Sequence, residues 1–202
     1  MALWLVAEPL VLASRSAARA ALLAAAGIAV EVLPADIDER GIEAKVPAQD
    51  AGGAAALLAR AKARAVAALR PGRLVLGADQ TLALGARRFS KPRDRAATEA
   101  QLRALRGETH ALHSALAVMR DGELLFEHGD TARLTMRRFS DKFLTEYLDA
   151  TGDAATASVG GYQLEKPGIQ LFERIEGDYF TILGLPLLPL LDFLRREHCL
   201  AA

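Results

Sequence analysis

Blocks of hydrophobic positions with different periods follow one another along the first half of the chain. Short apolar or alternating runs predict β-strands, whereas apolar positions spaced three and four apart predict helices. Serine before an apolar block and glycine or proline after it predict where a helix begins and ends. Strands and helices alternate in this half, and we expect them at residues 10–13, 14–26, 28–34, 54–69, 73–78 and 94–106. Residues 81–84 either continue the strand at 73–78 or pair with it.

The second half has a different pattern, because two long alternating segments flank a short turn. Asp121-Gly122 lies between them, and this dipeptide is a strong hairpin signal. Ser140 precedes an apolar-periodic run and is a typical helix cap. The pattern predicts two paired strands within 108–138, a helix from 140 to 148, mixed loop and strand over 154–184, and a last helix at 187–196.

Helices that alternate with strands, around one long antiparallel excursion, predict an α/β fold with a mixed sheet and a cleft. With 202 residues, we expect one domain spanning residues 1–202. A chain of this size buries roughly 70% of its unfolded surface, so it needs neither disulfides nor a structural metal to fold.

Composition limits the partners. Twenty-five basic residues balance twenty-five acidic ones, so no global charge draws the chain to a nucleic acid or a membrane surface. Cys199 is the only cysteine, which excludes a disulfide framework and a thiolate metal cluster. Glu8-Pro9 interrupts the first apolar run, and no run approaches the ~20 residues that span a bilayer. We therefore expect a soluble, cytoplasmic protein that binds any anion through a local arrangement of side chains.

The first such arrangement is the segment LASRSAAR at residues 12–19. A strand ends in Ser14 and Ser16, and a helix begins at once, so unpaired backbone N–H groups point above the sheet. With Arg19 about one turn later, the segment could hold a phosphate. Ordinary capping by Ser16, with Arg19 in solvent, explains the same residues.

Carboxylates and lysines supply the second arrangement. Asp38 and Glu39 follow a strand, and in extended backbone only one of them can face a given site; a solvated acidic loop is the alternative. Asp79 follows a buried run, at the end of a strand where ligands bind in open α/β sheets. It could coordinate Mg²⁺, accept a proton from water, or only cap a turn. Lys62 and Lys91 could bring cations to the same place.

Together, these segments resemble the Maf family of nucleoside triphosphate pyrophosphatases along nearly the whole chain. The order and spacing of the motifs carry the resemblance. They are LAS-x-S with Arg19, Ile37-Asp38-Glu39, Lys62-Ala63, GADQ at 77–80, Lys91-Pro92, LRALRGETH at 102–110 and IEGDY…GLPL within 175–187.

The resemblance implies a fold and an activity. Family members have a mixed, elongated β-sheet flanked by helices, with two lobes around a central cleft, and are often homodimers. They hydrolyse a nucleoside triphosphate to the monophosphate and pyrophosphate with a divalent cation, Mg²⁺ or Mn²⁺. By this resemblance Asp79 is the proton acceptor and Glu39, with Asp79, holds the metal. Four further residues would bind the phosphates: Ser14, Arg19, Lys62 and Lys91.

The same resemblance favours one substrate branch. The dTTP/UTP branch has GADT, an arginine at the Ala18 position and Tyr-Gly-Ile-Gln in the late loop. This chain has Gln80 and, in its late loop, Glu165, like the branch that acts on 7-methyl-GTP. A carboxylate at Glu165 could accept hydrogen bonds from guanine N1–H and N2–H₂ and offset the charge of a 7-methylated base.

Departures from the family pattern and competing functions qualify this expectation. Small residues at Ala17, Ala18 and Ala21, with Lys166-Pro167 in the late loop, predict a wider pocket or a shifted preference. The competing functions are a dTTP/UTP pyrophosphatase and a non-catalytic protein that regulates cell division. Retention of Asp79 and Glu39 favours an enzyme, because a binding module has no need of a carboxylate that activates water.

Overall fold

Seven strands form one mixed sheet in the computed structural model, which describes residues 3–201. Their order in space is β2-β1-β3-β5-β6-β7, and β4 pairs with β3 beside this path. The strands are β1 Leu10–Leu12, β2 Val30–Val32, β3 Val75–Leu84, β4 Arg87–Phe89, β5 Thr109–Arg120, β6 Glu123–Met136 and β7 Phe172–Glu176.

Helices connect the strands and cover both faces of the sheet. They are α1 Ala17–Ala25, α2 Glu39–Glu43, α3 Ala51–Ala67, α4 Arg95–Leu105, α5 Asp141–Thr151, α6 Tyr179–Ile182 and α7 Leu187–Arg196, with short 3₁₀ turns between α5 and β7. Several of them begin where a side-chain oxygen accepts a hydrogen bond from an exposed first-turn amide, as the sequence predicts for Ser16 and Ser140. None of the helices within residues 3–201 is both long and apolar enough to cross a membrane.

The pairing of the strands is parallel at one side of the sheet and antiparallel at the other. Strand β1 lies parallel to β2 and β3, whereas β3, β5, β6 and β7 pair in antiparallel order. The predicted hairpin at Asp121-Gly122 joins β5 to β6 and is confirmed. The mixed sheet predicted from the alternation of elements is therefore also confirmed.

Two bodies of packed side chains flank the cleft. In the first, one face of the sheet packs against alanines of α3, and the other packs against leucines of α1 and α7. The second contains the far ends of β5 and β6, helices α4 and α5, and the segment around Tyr162. Side chains from both bodies line the cleft between them. The predicted arrangement of two lobes around a cleft is confirmed.

Two local predictions are wrong. Asp79 does not lie at the end of a strand, because residues 81–84 continue the strand at 73–78, which is one of the two arrangements expected, and antiparallel pairing with β5 runs to Ala83. Asp38 and Glu39 do not lie in extended backbone. Asp38 caps the short helix α2, accepting a hydrogen bond from the backbone N–H of Gly41 at 3.0 Å.

Candidate active site

The cleft opens where β3 extends past its parallel neighbour. Strand β1 ends at Leu12, which pairs with Leu76, and β4 pairs with β3 only from Leu82 onward. Between these points, residues 77–81 have a strand on one side only, that of β5. Asp79 therefore lies in the middle of a long strand rather than at its end, and it still lines the cleft. The end of β1, and not the end of β3, determines where the cleft begins.

Alternation along β3 puts neighbouring side chains on opposite faces of the sheet. Gly77 and Asp79 face helix α3, whereas Ala78 and Gln80 face the side covered by α1 and α6. Both Asp79 and Gln80 line the cleft, because the strand edge is uncovered between them. The two faces carry different chemistry, charged on one and neutral on the other.

A lysine between two carboxylates forms the charged face. The ammonium of Lys62 on α3 lies 2.6 Å from Asp79 Oδ1 and 3.1 Å from Glu39 Oε1. Lys62 and Asp79 are 7% and 8% exposed, whereas the Glu39 side chain is 53% exposed toward the cleft. Breaking a buried pair by removing one partner leaves an uncompensated charge, so the geometry of the pair is strongly held.

Gly77 allows this cluster to form. A Cβ placed at Gly77 would lie 2.1 Å from the carbonyl oxygen of Ala59 and 2.6 Å from the amide nitrogen of Ala63. Any larger residue would push α3 away from β3. Helix α3 packs this closely against the strand, and Lys62 consequently reaches Asp79 two residues further along β3.

Arg19 is buried among neutral acceptors. Its Nε donates to the carbonyl of Gly184 at 2.7 Å, and its Nη1 donates to Ser14 Oγ and to the carbonyl of Ala78, both at 2.9 Å. Burial lowers the pKa of Arg19, and the negative charges of Asp79 and Glu39 oppose this by raising it. Within residues 3–201, Nη2 has no hydrogen-bond partner.

The two serines before α1 have different roles, one in helix capping and one toward a ligand in the cleft. Ser16 caps the helix, accepting a hydrogen bond from the backbone N–H of Arg19 at 3.4 Å. Ser14 accepts hydrogen bonds from Ser16 N and Arg19 Nη1, so its own hydroxyl proton is free to bind a ligand in the cleft. The arginine is not in solvent, and the arrangement is more than a helix cap.

Lys91 is the third cation of the cleft. It follows β4, and its side chain is exposed at the cleft wall. Partial burial lowers its pKa below the usual 10.5, and the positive charges of Arg19 and Lys62 lower it further. Three cations therefore face the two carboxylates Asp79 and Glu39, which gives the cluster a net positive charge that suits a polyphosphate.

The remaining predicted residues are Ala18, Glu165 and Gln80, and all three line the cleft. Ala18 is partly exposed in the first turn of α1, Glu165 is exposed in the late loop, and both line the cleft. Gln80 is more constrained than the sequence predicts. Its Nε2 lies within 3.0 Å of Ser114 Oγ and of two backbone carbonyls, those of Thr181 and Ile182.

A buried hydrogen bond supports the late loop. His110 Nε2 and Tyr162 Oη are 2.7 Å apart, and burial lowers the pKa of His110 to about 4, so the imidazole is neutral. Gly161 has φ +77°, and a Cβ there would lie 2.6 Å from Thr98 Cγ2. Gly160 and Gly161, directly before Tyr162, both have positive φ and allow this close approach. They hold the backbone against α4 and thereby place the wall that carries Glu165.

The cleft has a volume of about 670 Å³, which is within the range of small-molecule sites. Two arginines that the sequence analysis does not single out, Arg15 and Arg40, also line it. Neither forms an ion pair within residues 3–201. Each is adjacent to a motif residue, Ser14 or Glu39, and that adjacency is the only signal the sequence offers for them.

Two carboxylates that share one ammonium could also share a divalent cation. Over residues 3–201, no group of three or more His, Cys, Asp and Glu side chains is placed to hold a metal by itself. Glu39 and Asp79 supply oxygen donors, and Mg²⁺ in phosphoryl-transfer sites is held by one or two carboxylates together with substrate phosphates. The donor set fits a cation that is shared with a triphosphate.

Comparison with known proteins agrees with the motifs. A model of the Maf-like protein family matches residues 9–197. A protein of Rhodopseudomonas palustris (strain ATCC BAA-98 / CGA009) named "Nucleoside triphosphate pyrophosphatase" is 58% identical over 201 residues, covering 100% of both chains. A protein of Brucella abortus named "7-methyl-GTP pyrophosphatase" is 51% identical, covering 95% of this chain and 97% of that one. This chain belongs to the Maf-like protein family.

Proposed function

We propose that this protein is a nucleoside triphosphate pyrophosphatase, a hydrolase acting on an acid anhydride, with 7-methyl-GTP as its preferred substrate. Relatives aligned over the full chain carry the name of the general activity, and a relative at 51% identity carries the name of the narrower one. One observation carries the proposal. A buried lysine holds Asp79 and Glu39 together in a cleft with further cations on its wall.

Asp79 is positioned to act as a general base. Its Oδ1 accepts from Lys62, and its Oδ2 has no hydrogen-bond partner within residues 3–201, so one oxygen remains to take a proton. Water would attack the α-phosphorus as Asp79 accepts its proton. The new O–P bond forms, the bond from the α-phosphorus to the bridging oxygen breaks, and pyrophosphate leaves. A positioned base typically contributes about 10²–10⁴-fold.

The cations bind the negative charge on which this reaction depends. Phosphoryl-type transfer is catalysed mostly by positioning and by electrostatic stabilisation. Arg19 offers Nη2, Ser14 offers a hydroxyl proton, and Lys91 offers an ammonium at the cleft wall. Glu39 and Asp79 would hold Mg²⁺ or Mn²⁺, and a bound cation would add further charge stabilisation at the phosphates.

One carboxylate and one small side chain support the substrate preference. Glu165 provides a carboxylate at the cleft wall, which suits the donors and the positive charge of a 7-methylated guanine. Ala18 leaves space beside α1 where a larger side chain would restrict the base. By the same family resemblance, a homodimer and a cytoplasmic location are further expectations for this protein.

Hydrolysis of a nucleotide panel tests the proposal. The purified protein is incubated with 7-methyl-GTP, GTP, ATP, dTTP and UTP in the presence of Mg²⁺ or Mn²⁺, and the products are separated by anion exchange. We expect monophosphate and pyrophosphate, with 7-methyl-GTP turned over most efficiently. A preference for dTTP and UTP would leave the activity and overturn the substrate. Diphosphate plus phosphate, or no turnover at all, would overturn the activity.

A further inference from the structure

The amide of Gln80 has one orientation, with its nitrogen turned into the protein. Nε2 directs its two hydrogens toward three acceptors, Ser114 Oγ at 2.9 Å and the carbonyl oxygens of Thr181 and Ile182 at 3.0 Å each, so one hydrogen is shared between two of them. Carbonyl oxygens only accept hydrogen bonds, so they determine which end of the amide faces them. The oxygen Oε1 accepts no hydrogen bond within residues 3–201 and is not buried. The side chain lines the cleft and offers it an acceptor.

Hydrogen bonds of Ser114 and Thr181 fix this orientation of the amide. Ser114 Oγ donates to the Thr181 carbonyl at 2.7 Å, so the same hydroxyl oxygen must accept from Gln80. Thr181 is fixed in turn, because its Oγ1 donates to Asp130 Oδ2 at 2.8 Å and its N–H donates to Asp178 Oδ1 at 3.0 Å. Ser114 and Thr181 are 1% and 0% exposed, so water does not compete for these bonds.

We propose that Ser114 and Thr181 are positioning residues for base selection. They hold Gln80 so that the cleft receives its carbonyl oxygen and never its amide hydrogens. The inference rests on the proposed function, because it concerns the base of the same nucleotide. Glu165, which also lines the cleft, is acceptor-only when it is ionised.

A wall of acceptors selects one class of base. Guanine presents two adjacent donors, N1–H and N2–H₂, on its Watson–Crick edge. Adenine presents an acceptor at N1 and has no amino group at C2, so it would place a lone pair against the Gln80 or Glu165 oxygen. A site with fixed hydrogen-bonding groups rejects a ligand that leaves them unpaired. The network of Ser114 and Thr181 thus makes this cleft selective for guanine-type purines.

The segment that contains Thr181 also contacts Arg19. Effects on phosphate binding can nevertheless be separated from effects on the orientation of Gln80. Gly184, three residues after Thr181, accepts a hydrogen bond from Arg19 Nε at 2.7 Å. A general displacement of this segment would weaken phosphate binding, and it would do so equally for every nucleotide. Loss of the Gln80 orientation would change only the ratio of the affinities for two bases. This ratio therefore reports the positioning of Gln80 and does not respond to a loss of affinity common to all nucleotides.

The test measures the dissociation constants of GMP and AMP by titration calorimetry, so it does not depend on turnover. For the unmodified protein we expect GMP to bind more tightly. Ser114→Ala should lower the GMP preference about three- to tenfold, because a typical net hydrogen bond is worth about that factor. Thr181→Val should lower the preference as well, whereas Thr181→Ser keeps the hydroxyl donor to Asp130 and should restore it.

Thr109→Val is the matched control. Thr109 lies on β5 like Ser114, but its hydroxyl bonds Thr135 at 2.9 Å on an exposed part of the sheet. This variant should leave the ratio unchanged. An unchanged ratio in Ser114→Ala, an equal loss of both affinities, or no GMP preference in the unmodified protein would overturn the inference. In each of these cases hydrolysis to monophosphate and pyrophosphate would still stand or fall by its own assay.

Discussion

The two faces of β3 hold their side chains in the cleft by different interactions. On one face, Asp79 is held by an ion pair with Lys62, close to the other charged groups of the cleft. On the other face, Gln80 is held only by neutral donors and acceptors. In the proposed function, the charged face serves the reaction, which is the same for every nucleotide, and the fixed hydrogen bonds of the neutral face distinguish one base from another. The uncovered edge of a single strand delivers both to one cleft.

The largest effect is expected from a substitution that removes the negative charge of Asp79 from the charged face of β3. Asp79→Asn should lower kcat by about 10²–10⁴-fold for every nucleotide, because the amide cannot accept the proton of water. The protein should still fold, but its thermal unfolding midpoint should fall, because the buried Lys62 keeps only the half-exposed Glu39 as an ion-pair partner. Asp38→Asn is the control, because asparagine also caps helices. Unchanged kcat in Asp79→Asn would remove Asp79 from its proposed role.

The next largest effect is expected from a substitution that pushes α3 away from β3. Gly77→Ala places a methyl group against the backbone of Ala59, and we expect a loss of about 3 kcal/mol or more in the free energy of unfolding. Activity should fall for all bases by a common factor, because Lys62 moves with the helix. Chemical denaturation and the nucleotide panel measure the two effects.

Gly52→Ala, in the helix α3 that packs against Gly77, is the control. The nearest atom to a Cβ there, His113 Nδ1, is 3.7 Å away, which is an ordinary contact. Alanine favours a helix over glycine by about 1 kcal/mol, so this variant should be as stable as the unmodified protein or more so. Equal stability of the Gly77→Ala and Gly52→Ala variants would refute close packing at Gly77 as the reason that Lys62 reaches Asp79.

A smaller effect should appear at the wall that faces the base. Glu165→Gln keeps the shape and removes the charge, so the kcat/KM for 7-methyl-GTP should fall about tenfold relative to that for UTP. Steady-state kinetics with both substrates measure the ratio. Glu173→Gln changes an exposed carboxylate on β7 and serves as the control. An equal fall for both substrates would show that Glu165 does not recognise the base.

The smallest effect concerns pH. The pKa of Lys91 is lowered by burial and by the charges of Arg19 and Lys62, so Lys91 loses its proton at a lower pH than an ordinary lysine. As the pH rises through this lowered pKa, kcat/KM should fall for all nucleotides, because the cleft loses a cation. Lys91→Arg should move the fall to higher pH, since arginine stays charged. Identical alkaline profiles for the two proteins would exclude Lys91 from phosphate binding.

Much of the fold, and the residues of the charged face of β3, could be predicted from the sequence. Helix caps and the Asp121-Gly122 hairpin depend on neighbouring residues, and the structure has them where the pattern predicts. The motifs that contain Glu39, Lys62 and Asp79 do come together. Glu39 does so from the short helix α2 and not from extended backbone, because Asp38 uses its side chain as a cap.

The neutral face of β3 could not be predicted in the same way. The partners of Gln80 lie 34 to 102 residues away in the chain, and nothing in the sequence around Gln80 indicates them. The sequence therefore suggested a residue that faces the base, whereas the structure shows an amide with one end already engaged. The position of Asp79 within β3 was also hidden, since the pairing with β5 that continues the strand depends on tertiary contacts.

Hydrolysis in water enriched in ¹⁸O tests the central claim most directly. With 7-methyl-GTP as substrate, mass spectrometry of the products shows which phosphorus the water attacks. A base at Asp79 that activates water toward the α-phosphorus predicts one ¹⁸O atom in the nucleoside monophosphate and none in pyrophosphate. Label in pyrophosphate, or labelled inorganic phosphate beside a nucleoside diphosphate, would contradict the proposed reaction.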